Sequence, residues 1–199
     1  MSEKLGSLDA SQKSGDEQFH YDGESLDINL IEFWRWSTSD LVSNATRGVL
    51  AEFIVARALG NVSSNVRNEW DAYDLETDDG IKVEVKSAAF IQSWHQENFS
   101  RISFNVQKKL VWDEEKGYED EARRPANVYV FALLKHKEKK SIDPLNLNQW
   151  EFFVLPTEVL DLRERSQHSI TLKSLERLSG ESVNYFELKD AIIKAYQTK

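Results

Sequence analysis

The 199-residue sequence contains no cysteine, which excludes disulfides and thiolate metal centres outright. Histidine is scarce: His20, His95, His136 and His168 lie far apart, with no metal-ligand spacing between any two. Long apolar runs are missing as well. None reaches the length that spans a bilayer, and the opening stretch MSEKLGSLDASQKSGDEQ lacks the apolar segment of a secretory signal. These absences predict a cytoplasmic protein without membrane contact, of a size that suits one domain with a real core.

Positive charge is also in deficit, with a net charge of −9. Phosphate binding is largely electrostatic, so this balance argues against sequence-blind coating of DNA. Its distribution makes it weak evidence against a local polyanion-facing cleft. Residues 1–22 balance at −3 and the stretch DEEKGYEDE (113–121) at −5, which leaves the rest of the chain near −1. Both segments read as solvated and mobile. Residues 1–22 are expected to be a disordered acidic tail, and residues 23–199 a single domain.

What is present begins at INLIEFWRW, where Phe33, Trp34 and Trp36 crowd together as core or as a helix-docking patch. Capping residues in STSDLVSNAT precede RGVLAEFIVARALG, which predicts a helix starting between Ser39 and Thr46 and stopped by Gly60. Val49, Leu50, Phe53, Ile54, Val55 and Leu59 surround most of its circumference, so it is expected to be largely buried. Glu52 sits among them. A buried carboxylate needs a cation, a metal or several donors; Arg57, Arg47 or open solvent would be the ordinary answer. Beyond a loop, WDAYDLE and IKVEVKSAAFI read as strands joined by the turn TDDG, and RISFNV as a third strand. QKKLVWDEEKGYEDEARRPA is a long connection closing at Pro125. NVYVFALL and QWEFFVL are near-continuous apolar runs, as expected of strands covered on both faces, the second stopped by Pro156. From TEVLDLRER onward the pattern is mostly helical, with Leu172, Leu175 and Leu178 packing back on the sheet. The order predicts an α/β sandwich around a mixed sheet.

The stretch DLETDDGIKVEVKS carries the candidate chemistry. Alternation points Ile81, Val83 and Val85 one way, into a core, and Lys82, Glu84 and Lys86 the other. The turn decides where Asp74 falls. A three-residue loop, Asp78-Asp79-Gly80, pairs Thr77 with Ile81 and Asp74 with Glu84, with glycine in the left-handed position. A two-residue loop pairs Asp74 with Val85 and turns it away from Glu84. If the two carboxylates meet, something positive must hold them, either Lys86 or a divalent cation. Hard cations such as Mg2+ take oxygen ligands, keep several waters and leave room for a phosphate. Such an ion polarises a phosphoryl oxygen and lowers the pKa of bound water, and Lys86 would orient that water or offset developing charge. The same cation would compensate Glu52.

A helix carrying a glutamate, a strand aspartate, a hairpin and a Glu-x-Lys strand together resemble the PD-(D/E)XK nuclease superfamily, also called restriction-endonuclease-like. Asp74 matches the family aspartate, Glu84-Val85-Lys86 the E-x-K element, and Glu52 the acid of the first helix; Tyr73 stands where the pattern has proline. The resemblance runs closely from Arg47 to Val106. It implies an αβββαβ core with a mixed central sheet flanked by helices, and Mg2+- or Mn2+-dependent phosphodiester hydrolysis on DNA. Asp74, Glu84 and Glu52 would be the metal ligands and Lys86 the catalytic cation. The assembly state is open, a homodimer being one option, as is a nuclease-fold module that binds nucleic acid or protein without cutting. Ser87, Gln92, Trp94, His95, Arg123 and Arg124 are the candidate substrate contacts, each with an ordinary account as a polar strand, loop or solvated-face group. Trp94 could stack on a base.

Overall fold

The computed structural model describes residues 6, 8, 10–60, 66–113, 117–164 and 166–198. Parts of the expected tail (1–5, 7 and 9), of the loop after the first long helix (61–65) and of the acidic connection (114–116) lie outside them. Strands β1 (Gln18–Tyr21) and β2 (Glu24–Asn29) form a hairpin that leads into α1 (Leu30–Thr38). Next come α2 (Asn44–Leu59), β3 (Leu75–Glu76), β4 (Lys82–Ala89), β5 (Ser103–Asn105), β6 (Trp112–Asp113), β7 (Gly117–Tyr118), β8 (Val128–Leu134) and β9 (Trp150–Pro156). After these are α3 (Thr157–Asp161), β10 (Ser169–Thr171), α4 (Leu172–Ser179) and α5 (Leu188–Gln197).

The central sheet has the order β3-β4-β8-β9 and is mixed, since β4 and β8 run parallel while the outer pairs are antiparallel. Every residue of β8 is buried, which explains its unbroken apolar sequence. One face of the sheet, with Val83, Val85, Val128 and Val130, packs on Ile54 and Val55 of α2 and on Ile192 of α5. The other, with Tyr129, Phe131 and Leu133, packs under Phe104, Ile170 and Leu175. Each fully buried aliphatic or aromatic side chain contributes about 1.5–3 kcal/mol. The expected α/β class with a mixed sheet flanked by helices is therefore what the chain adopts.

Several elements differ from the expectation in detail. Structure enters the tail expected over residues 1–22, because β1 lies within it and pairs with β2. The acidic connection is a hairpin, β6–β7, extended at its base by a bridge between Lys109 and Arg123. RISFNV joins β10 in a small separate sheet, because Ser103–Asn105 finds its antiparallel partner at Ser169–Thr171. Among the described residues no helix stands between β5 and β8. Trp36 and Phe33 are exposed at 84% and 46%, so that aromatic group is not core. Leu175 is buried as expected, whereas Leu178 is 41% exposed. No helix among the described residues is long and apolar enough to cross a membrane.

Candidate active site

Helix α2 is fixed at both ends by the residues the sequence offered. Ser43 caps its first turn by accepting from the Thr46 N–H, and Gly60 closes it in the left-handed conformation at φ 85°. Its buried face carries Ala51, Ile54 and Val55, but Val49 and Phe53 are about half exposed, so the helix is less buried than its composition suggested. That open side forms one wall of a cleft of about 330 Å³, lined also by Glu52, Arg67, Tyr73 and Asp74. Glu52 is not paired with Arg57 or Arg47. Arg67 grips it with both Nε and Nη2.

The turn resolves the register. Thr77 N–H donates to Ile81 O at 3.0 Å, which makes Asp78-Asp79-Gly80 a three-residue loop with Gly80 at φ 78°. Leu75 then faces Val83 and Glu76 faces Lys82. At Asp74 the ladder slips: its backbone N–H donates to Val83 O at 3.1 Å. Its carboxylate Oδ2 accepts the Val85 N–H at 2.6 Å. Because β3 is only two residues long, that N–H would otherwise be an unpaired donor on the sheet edge. Asp74 satisfies it and so sits in the plane of the sheet, between the α2 face and the opposite face.

Glu84 lies on the opposite face and is buried, with 3% of its surface exposed. Lys86 Nζ contacts its Oε1 at 2.6 Å, and Lys109 Nζ, from the base of the β6–β7 hairpin, approaches both oxygens at 3.4 and 3.5 Å. Lys109 was not foreseen as a partner, because the fold brings it in from 25 residues away. Asp74 has no such cation in contact among the described residues. Burial foremost, then the charge of Glu84, pushes its carboxyl up to about 6 against the pull of the Val85 N–H and Lys86; Glu52 adds a smaller push. Burial and the Glu84 charge likewise raise the Tyr129 phenol, which stands beside Glu84 on β8.

The family model of bacteriophage T4 endonuclease IV matches residues 24–174. The chain belongs to that family. A comparison with curated proteins finds no match. The span shared with the endonuclease IV family holds Glu52, Asp74, Glu84, Lys86 and Lys109, and excludes α5.

Within this endonuclease IV-family chain the remaining candidates separate. Ser87 and Gln92 serve a buried arginine: Arg47 Nε bonds Ser87 Oγ at 3.1 Å, and its Nη1 bonds Gln92 Oε1 at 3.3 Å and Val42 O at 2.8 Å. Gln92 also donates to Ala89 O and Ser100 Oγ. Arg124 is occupied inside the protein. Its side chain is fully buried and bonded to Val106 O, Asp161 and Gln167. Arg123 is exposed and paired with Glu119 at 2.7 Å. Trp94 and His95 are exposed, on the loop after β4. Among the described residues, no group of three or more histidine or carboxylate side chains is close enough to hold one metal ion. Glu52 and Asp74 line the same cleft, whereas Glu84 lies on the other face of the sheet with Lys86 and Lys109.

Proposed function

We propose that the chain is a Mg2+-dependent endonuclease acting on DNA through a PD-(D/E)XK-type site, with Mn2+ the alternative ion. One observation carries this reading. Asp74 caps the open edge of β4 at Val85, between Glu84 and Lys86, in a chain of the endonuclease IV family. What supports a hard divalent cation is the oxygen chemistry of the two acids and the short supply of positive charge at the largely buried Asp74; the ion would compete with Lys86 and Lys109 for the oxygens of Glu84. Asp74 and Glu84 would hold the ion, which when bound supplies Lewis-acid polarisation of a phosphoryl oxygen. The chain's own groups do the rest. The Val85 N–H holds Asp74 in place. Lys86, 29% exposed at its side chain, reaches solvent and would orient the attacking water and offset charge developing on the phosphate. Lys109 steadies Glu84 from the hairpin side. Glu52 is the auxiliary acid, its charge compensated by Arg67.

Replacing Glu84 or Lys86 with alanine is expected to lower DNA cleavage in Mg2+ by at least about 100-fold, with the circular dichroism spectrum unchanged. Wild-type rates in either variant would overturn the assignment. A second reading, a module that binds without cutting, is favoured by the cation partners that Glu52 and Glu84 already hold. Calorimetric titration with Mg2+ and Mn2+ separates the two. Heat of binding that disappears in Asp74→Ala supports the enzyme, and no heat in the wild type supports the module.

A further inference from the structure

Two polar stretches that lie far apart in the sequence, SWHQ after β4 and KHKEKK after β8, meet in the structure. Lys139 Nζ donates to Trp94 O at 2.8 Å. Lys137 Nζ stands 4.4 Å from the centre of the Phe90 ring, which meets Phe99 edge-on at 6.4 Å. The first loop is braced from within, because Gln92 and Gln96 both donate to Ser100 Oγ at 3.1 Å and Ser100 N–H donates to Phe90 O at 3.0 Å. Together residues 90–101 and 135–141 hold Arg101, Lys135, Lys137, Lys139 and Lys140 against Glu97 and Glu138, a balance of +3 in a chain of −9. Lys135 is paired with Glu151. Among the described residues the other four are in no ion pair. Trp94 and Phe99 are each about half exposed beside them.

The position of this surface relative to the site follows from strand geometry. β4 and β8 run parallel, so both loops leave the same end of the sheet. Ala88 and Phe90 pack on the core beneath Tyr129 and Phe131, the strand face that also carries Glu84 and Lys86. Six residues of extended chain separate Glu84 from Phe90, roughly 20 Å at about 3.3 Å per residue. That length is about six base-pair steps of duplex at 3.4 Å each.

We propose that the loop pair 90–101 and 135–141 is a DNA-backbone docking surface that holds the nucleic acid flanking the scissile phosphate, with Lys137, Lys139, Lys140 and Arg101 as its phosphate contacts. The inference rests on the nuclease reading for the word scissile, but the docking itself does not require cleavage. An overall acidic protein needs a local basic surface to hold a polyanion. This one is braced by hydrogen bonds and continues from the strand that carries Glu84 and Lys86.

The test uses the full-length chain in EDTA, where no metal-dependent cleavage proceeds, and fluorescent 30-base-pair duplex and 30-nucleotide single-stranded probes. Lys137→Gln/Lys139→Gln/Lys140→Gln is expected to reduce the slope of log Kd against log salt by about 2.7 for duplex, at about 0.9 per lost phosphate contact. The matching triple arginine variant is expected to keep the wild-type slope. In Mg2+ the glutamine variant is expected to raise KM with kcat within twofold. An unchanged slope and KM in the glutamine variant would overturn the docking surface, and so would equal losses in the glutamine and arginine variants. Failure of the wild type to cut DNA in any divalent ion would sink the nuclease reading instead, leaving the salt slope to decide the surface alone.

Discussion

At the scale of single residues, the burial of Asp74 beside Glu84 has a direct consequence for stability against pH. The folded value of Asp74, about 6, lies above the ordinary value near 3.8, so the native state takes up a proton that the unfolded chain releases. The sign follows. Relative to an uncharged side chain, Asp74 costs no stability below about pH 4, and the cost grows as pH rises to about 6 and then stays constant. Asp74→Asn keeps an acceptor for the Val85 N–H and removes the charge. In EDTA it is expected to be more stable than the wild type above pH 6, on the order of 2 kcal/mol, with the two converging below pH 4. Urea unfolding at a series of pH values measures this, and a constant difference across the range would count against the burial of the carboxylate. Partners at this scale were the least legible in the sequence. The need of Glu52 for a cation was readable from its apolar neighbours, but Arg67 comes from a loop with no periodic pattern to place it. Arg124 looked like a surface charge until Val106, Asp161 and Gln167 were brought around it from positions 18 to 43 residues away. Arg47 likewise claims Ser87 and Gln92 across 40 and 45 residues. Arg47→Met is expected to cost about 1–3 kcal/mol by leaving these acceptors unpaired, read by chemical denaturation.

At the scale of elements, the hairpin before β4 was readable because turn chemistry is local. Glycine in the third loop position allows φ 78°, and that loop sets which residue faces Val83. A methyl group on Gly80 would meet nothing nearer than Glu76 Oε1 at 3.9 Å, so the cost of Gly80→Ala is conformational rather than steric. It is expected to lower stability by about 1 kcal/mol, and Gly80→Asn by less, since asparagine tolerates the left-handed region. Equal stability of alanine and glycine there would mean that the loop is not held in this conformation. The strands β8 and β9 were equally readable, as apolar runs of the right length. The β6–β7 hairpin was not, because acidic side chains on a solvated ribbon have the same composition as an unstructured linker. The small β5–β10 sheet was hidden for a different reason. Its strands are three residues each and start 66 positions apart, at Ser103 and Ser169, and no short-range pattern announces such a pair. The slip at Asp74 was also beyond periodicity, since it depends on a carboxylate replacing a backbone acceptor.

At the scale of the whole molecule, the amino-terminal hairpin and α1 stand apart from the sandwich. α1 is begun by a capping box between Asn29 and Glu32, yet buries no residue. β1 and β2 bury none either, and β1, β2 and α1 make no extensive contact with the central sheet. Both large cores are assembled from residues after Asn44. Because hydrophobic burial is the main source of stability, removing residues 1–38 is expected to shift the thermal midpoint of the sheet and its helices by no more than about 3 °C, since a domain of this size moves roughly 2–4 °C for each kcal/mol lost. The same deletion removes −5 of the net −9 charge. Long-range repulsion of a polyanion is therefore expected to fall, tightening DNA binding several-fold at about 50 mM salt and much less at about 300 mM, where charges farther apart than the Debye length are screened. Differential scanning calorimetry and salt-resolved binding of the deletion variant measure both quantities. A collapse of the thermal transition would show that the amino-terminal unit braces the sandwich, and tighter binding that persisted at high salt would show that it covers the DNA surface instead of repelling from a distance.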